Sequence, residues 1–109
     1  MRGGFDMARQ ENPNPYLKHK VMTASPEELV SYVYDIAIKA CKVKNKIKAL
    51  EAMQVLINSL NFDEKEMAMT FFNVYRYISK LIRENQFNEA EIYLTDIKNT
   101  WEKAMKISI

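Results

Sequence analysis

From Pro26 onward the apolar residues recur at steps of three and four, and this spacing persists to Ala104 with only brief interruptions. That is the periodicity of amphipathic helices. The first run lies in the stretch Thr23 to Cys41, TASPEELVSYVYDIAIKAC, and it carries two apolar stripes one residue apart. Leu29, Val33, Ile36, Ala40 and Val43 form one, and Val30, Tyr34, Ala37 and Cys41 the other. A single stripe seats a helix against one partner layer. Two adjacent stripes imply a helix that is central in a bundle, or one buried on one side and available to a guest on the other. The β-branched and aromatic run Val30 to Tyr34 alone would suit a strand. The sustained helical spacing and the absence of turn residues from Glu27 to Lys44 outweigh it. The start is also marked. Ser25 fits the N-cap, Pro26 the first helical position and Glu28 the third, completing a capping box, and Glu27 and Glu28 favour the positive end of the helix dipole.

Three further helices follow. Asn45 is the expected left-handed residue closing the first. A second runs from about Ile47 to Leu60, with Ala49, Met53, Leu56 and Leu60 as its stripe and Leu50 and Ile57 beside it. Asn61, Phe62 and Asp63 break the pattern, and Asp63 with Glu66 repeats the cap-plus-three signal. The third helix spans about Glu64 to Glu84 on Met67, Phe71, Val74, Ile78 and Leu81, widened by Phe72, Tyr75 and Ile82. Asn85 and Gln86 mark the next turn, with Asn85 or Asn88 as cap of the last helix. Phe87, Ala90, Leu94, Ile97, Trp101 and Ala104 make the cleanest stripe, and Trp101 reads as a core anchor near one end. Four such helices with short connections predict an all-α fold, an antiparallel up-down four-helix bundle.

Ahead of it, residues 1–13 read as a polar leader, with Met7 an alternative start, and Asn12 to Pro15 form a turn-rich boundary. The segment YLKHKVM, Tyr16 to Met22, is too short to be a stable helix alone yet carries Tyr16, Leu17, Val21 and Met22. It is expected to dock, either as a permanent strap or as one displaced when a partner arrives. The chain therefore divides into a leader at 1–13 and a single bundle domain at 14–109.

Composition narrows the chemistry. A net charge of +2 implies neither a nucleic-acid nor a membrane partner by itself, and no apolar run is long enough to span a bilayer. The single cysteine excludes an internal disulfide. Lys39, Lys42, Lys44, Lys46 and Lys48 form a cluster without acid or arginine, which reads first as a solvated helix end and second as a phosphate patch. His19 is the lone histidine, Cys41 lies on an apolar stripe, and neither a zinc set, a phosphate loop nor a nucleophile–base pair is present. No catalytic residue, metal or cofactor is expected. Seven methionines read mostly as core filler, and any on a groove would suit an adaptable binding surface.

Tyr16, Val21, TASPEEL at Thr23–Leu29, the pair Tyr34 and Asp35, and the closing TWEKAMK at Thr100–Lys106 together resemble the flagellin-specific export chaperone family, FliS, over about residues 14–106. Two departures stand out. Ile36 occupies the place after Tyr-Asp where that family usually has Gly, and the hairpins are shorter. The resemblance implies a cytoplasmic chaperone whose bundle binds the disordered C-terminal segment of flagellin, prevents premature polymerisation and keeps the subunit fit for export. It also admits other flagellar export components as partners, with no nucleic acid and no membrane insertion, in a monomer or weak homodimer. On this reading Tyr16 and Val21 dock as a self-ligand in part of a guest groove that Val30, Tyr34, Ile38 and Cys41 line. The rivals are a homodimerising structural protein that closes its second stripe on a copy of itself, and a nucleic-acid-binding bundle using Lys39 to Lys48.

Overall fold

The computed structural model describes residues 24–106. The docking segment, including Tyr16 and Val21, lies outside these residues. Four helices follow one another: α1 at Pro26–Lys42, α2 at Lys46–Asn58, α3 at Lys65–Arg83 and α4 at Phe87–Met105. Among the described residues there is no strand. Each helix packs on the next, and α4 returns to pack on α1, which is the ring of an antiparallel up-down bundle.

The helix ends follow from local chemistry. The amide of Glu28 donates to the Ser25 hydroxyl at 3.2 Å, and the amide of Ser25 donates to the Glu28 carboxylate at 2.9 Å. The capping box is thus complete, with Pro26 in the first turn. At the other end of α1 the left-handed residue is Lys44, at φ 58°, rather than Asn45. Asn45 instead caps α2, its side-chain oxygen accepting from the Lys48 amide at 3.1 Å. An asparagine oxygen can satisfy an orphan helix amide and a lysine ammonium cannot, so the cap takes Asn45 and the strained position falls to Lys44. The amides of Asn45 and Lys44 then donate back to the Ala40 and Cys41 carbonyls at 2.8 and 3.1 Å, the paired bonds of a Schellman stop.

The α3–α4 turn repeats this device. Asn85 sits at φ 64°, and the amides of Gln86 and Asn85 return to the Leu81 and Ile82 carbonyls at 2.8 and 3.0 Å. Asn85 closes α3, Gln86 takes the N-cap position of α4, and neither Asn85 nor Asn88 caps that helix. The α2–α3 link is looser. Glu64 precedes α3 without a side-chain cap, while the Asp63 amide donates to Asn61 at 3.0 Å, so the expected Asp63 box does not form.

The core draws on every helix. Tyr34, Ala37, Ala40 and Cys41 of α1 meet Ala49, Met53 and Leu56 of α2, Phe71, Tyr75, Ile78 and Ile82 of α3, and Phe87, Ala90 and Leu94 of α4. Small residues on α1 and α2 allow the close approach that such packing requires. At the centre the hydroxyls of Tyr34 and Tyr75 hydrogen-bond to each other across the bundle, so neither buried oxygen is left without a partner. On α3 the buried face centres on Phe71, Tyr75, Ile78 and Ile82, while Met67 is exposed and Val74 only half-buried. Of the expected stripe Phe71, Ile78 and Leu81 are buried, and with Met67 and Val74 less covered the buried face is shifted toward Tyr75 and Ile82. Several residues of that wide apolar arc could have faced inward, and the partners on either side choose among them.

Candidate binding surface

The two stripes of α1 are buried to different extents. Tyr34, Ala37 and Cys41 are closed inside, with Tyr34 and Cys41 at 0% and 1% exposure. Leu29, Ile36 and Val43 look outward, at 39%, 45% and 67%. Between them Val33 is half-buried, and Ala40 is small enough to be covered. Of the residues expected to line a groove, Tyr34 and Cys41 therefore sit in the core, Ile38 is partly buried against it, and Val30 reaches a cleft at the open end of the bundle. Ile36, which stands where Gly was expected, has its side chain on the outer surface. Its bulk is taken up by solvent-facing space and adds to the exposed apolar line.

The cleft has a volume of about 260 Å³ and lies where the ends of all four helices meet around the looser α2–α3 link. Val30, Leu60, Met67, Phe71, Trp101 and Met105 give it apolar walls. Trp101 organises this end. Its indole packs edge-on against Phe71, with ring centroids 5.5 Å apart, and its N–H donates to the Glu27 carbonyl at 3.2 Å, tying the end of α4 to the start of α1. An amphipathic ring of this kind has an apolar body for the wall and a polar edge to fix its orientation. Two methionines in the wall suit irregular guests, because the unbranched thioether adapts its shape. The sequence reads Met67 and Met105 mostly as core filler, and the structure places both on the cleft wall. The signal that could have found this cleft is the clustering of Leu60, Met67 and Trp101 at helix ends, which share one pole of an up-down bundle.

Ion pairs pin α1 to α4 beside the outer stripe. The Lys98 ammonium donates to Asp35 at 2.6 Å and lies 3.8 Å from Glu102, and Lys42 meets Glu91 at 3.1 Å. Such partly exposed pairs fix register more than they stabilise, contributing roughly 0–1 kcal/mol each. Lys39 and Lys42 occupy the last turn of α1, where they complement its dipole, and the Lys46 ammonium donates to the Arg83 carbonyl at 3.2 Å, capping α3.

Reactive chemistry is suppressed at the titratable groups the core contains. Burial, with the negative charge of Glu91 as a lesser cause, pushes the Cys41 thiol up to about 11. Burial pushes the Tyr75 phenol up to about 12, and Tyr34 is raised by burial and by its proximity to Tyr75. A protonated thiol is a poor nucleophile. Among the described residues no group of His, Cys, Asp and Glu is arranged to hold a metal ion, and no helix is long and apolar enough to cross a membrane. What the surface offers is apolar area for a partner.

No curated protein and no solved structure matches the chain. The family model of the flagellar protein FliS matches residues 8–108, nearly the whole sequence, and the chain thus belongs to the FliS family of flagellar export chaperones.

Proposed function

We propose that this protein binds the disordered C-terminal segment of flagellin along the outer stripe of α1 and in the end cleft, holding it in a form that can be exported. The observation that carries this reading is that, among the described residues, the core closes without Leu29, Ile36 and Val43, which remain as exposed apolar surface in a family of export chaperones. The guest's apolar stripe is what would drive subunits together in a filament, so covering it blocks polymerisation directly. Folding of the guest on the bundle spends part of the contact energy on ordering, on the order of 2–5 kcal/mol, which leaves the complex specific yet releasable. In this reading residues 14–109 act as one cytoplasmic chaperone domain, and Tyr16 and Val21 dock on the same surface until the guest displaces them.

Calorimetric titration with a synthetic C-terminal flagellin peptide tests the proposal. Saturable one-to-one binding with a clearly negative heat-capacity change is the expected result. Absence of binding at tens of micromolar by a folded, monomeric protein defeats it. A mass that rises with concentration, with no peptide binding, assigns the same apolar stripe to a second copy of the chain instead.

A further inference from the structure

On the other side of α2 a separate groove runs between α2 and α3, with a volume of about 510 Å³. Leu50, Ile57 and Phe72, all half-buried, give it apolar patches, and Gln54 and the buried Ser79 are polar lining between them. Arg76 and Arg83 stand on its α3 wall, and no acidic residue lines it. The two arginines are seven residues apart, so they project from the same helix face two turns, roughly 10 Å, from each other. Neither guanidinium pairs with a carboxylate among the described residues, although three other cation–carboxylate contacts form on the bundle. Arg76 is held in place, with its guanidinium 5.8 Å from the centre of the Phe72 ring. Phe72 is in turn fixed by edge-on contact with Phe62 at 6.3 Å. Such a contact is modest at an exposed site, yet enough to bias the Arg76 guanidinium toward the groove.

We propose that the α2–α3 groove is a second docking site, which takes an amphipathic helix of a partner protein bearing acidic residues two turns apart. Its apolar face lies on Leu50, Ile57 and Phe72, and its carboxylates meet Arg76 and Arg83. The planar fork of arginine matches a carboxylate through two parallel hydrogen bonds, which lysine cannot reproduce. The lining favours a helix over a nucleic-acid strand, because Phe72, the one aromatic residue in it, has Arg76 over its ring and is not free to stack on a base. The proposal is independent of the flagellin reading, since it concerns different residues on a different helix pair.

The test is a fluorescence anisotropy titration of the full chain with a labelled, helix-forming peptide of about 18 residues, leucine along one face and glutamate at two-turn spacing beside it. A twin peptide carries lysine in place of every glutamate. The acidic peptide is expected to bind at least about tenfold tighter than its twin, with amide shifts at Leu50, Ile57 and Phe72. Replacing Arg76 and Arg83 together by alanine should remove that preference, and reversing both to glutamate should transfer it to the lysine peptide. Both side chains are exposed, and circular dichroism is the check that each variant keeps the bundle. Equal binding of the two peptides, shifts confined to the end cleft, or an unaltered preference in the double variants would overturn the proposal. So would a failure of the acidic peptide to bind, or tighter binding at this groove by a single-stranded oligonucleotide.

Discussion

The stripes on α1 are nearly alike as sequence and unlike as structure. Both are apolar, both keep the spacing of three and four, and they are offset by one residue. Val30, Tyr34, Ala37 and Cys41 turn toward the other helices, while Leu29, Ile36 and Val43 face outward. The inner stripe carries the shape-specific residues: an alanine that lets helices approach, a small thiol, and a phenol that finds its partner on α3. Val33 and Ala40 of the outer stripe still pack on the core, and the three residues that face outward, Leu29, Ile36 and Val43, are branched aliphatic side chains whose fit demands only area. A core needs complementarity at every atom, whereas a surface that receives a guest folding upon it needs apolar area and tolerance of shape. The inner stripe should thus govern stability and the outer one partner affinity.

The sharpest break of that division lies at Tyr34. Tyr34→Ala should destabilise by about 3–5 kcal/mol, from the cavity and from the stranded Tyr75 hydroxyl, as read from urea denaturation midpoints. Tyr34→Phe isolates the second part and should cost about 1–3 kcal/mol, because it orphans the buried Tyr75 oxygen. The double change with Tyr75→Phe should cost less than the sum of the singles. Additive losses would show that the two hydroxyls do not depend on each other.

Alkaline pH addresses the same inner stripe without mutation. In the unfolded chain the Cys41 thiol and the two phenols ionise near 9 and 10, whereas in the fold the thiol is held up to about 11 and Tyr75 up to about 12. Above these lower values the unfolded chain sheds protons that the native state keeps, so stability is fully present below about pH 9 and declines above it. Each such group contributes about 1.4 kcal/mol per pH unit within its window. Denaturation midpoints measured from pH 7 to 11 should be flat and then fall. In the same range Cys41 should react with thiol reagents only after unfolding, and rapid labelling of the native protein would contradict its burial.

The smallest effect on stability is expected on the outer stripe. Leu29→Ser, Ile36→Ser and Val43→Ser should each change stability by no more than about 0.5 kcal/mol, because each side chain is already substantially exposed. Together they should weaken binding of the flagellin peptide by at least about tenfold, since apolar area lost from an interface is felt when the partner covers it. If the triple variant instead destabilised the bundle and left the peptide's affinity alone, the roles of the stripes would be reversed.

The elements themselves were legible because their signals are local. The Ser25 box, the Pro26 start, the break around Asn61 to Asp63 and the four apolar periodicities all act within a few residues, and all appear in the fold. The caps were less legible where equivalent residues compete. Asn45 could have closed α1 or opened α2, and only the pairing of carbonyls and amides around the turn selects the second. Sequence also established that α1 has more apolar surface than one core face can use.

Which of its faces would be the surplus was beyond the sequence. Two stripes offset by one residue differ by about 100° of rotation, and the rotation of a helix is set by the partners that close around it. Tyr34 points inward because Tyr75 meets it from α3, a residue 41 positions away along the chain. The end cleft has the same origin. Val30, Met67 and Trp101 belong to three helices, and only the up-down arrangement brings their ends to one pole. The sequence by itself determined four amphipathic helices with surplus apolar area and the family they belong to. Tertiary structure decided which of that area the core consumes and which it leaves to a partner, because burial depends on contacts that no local spacing specifies.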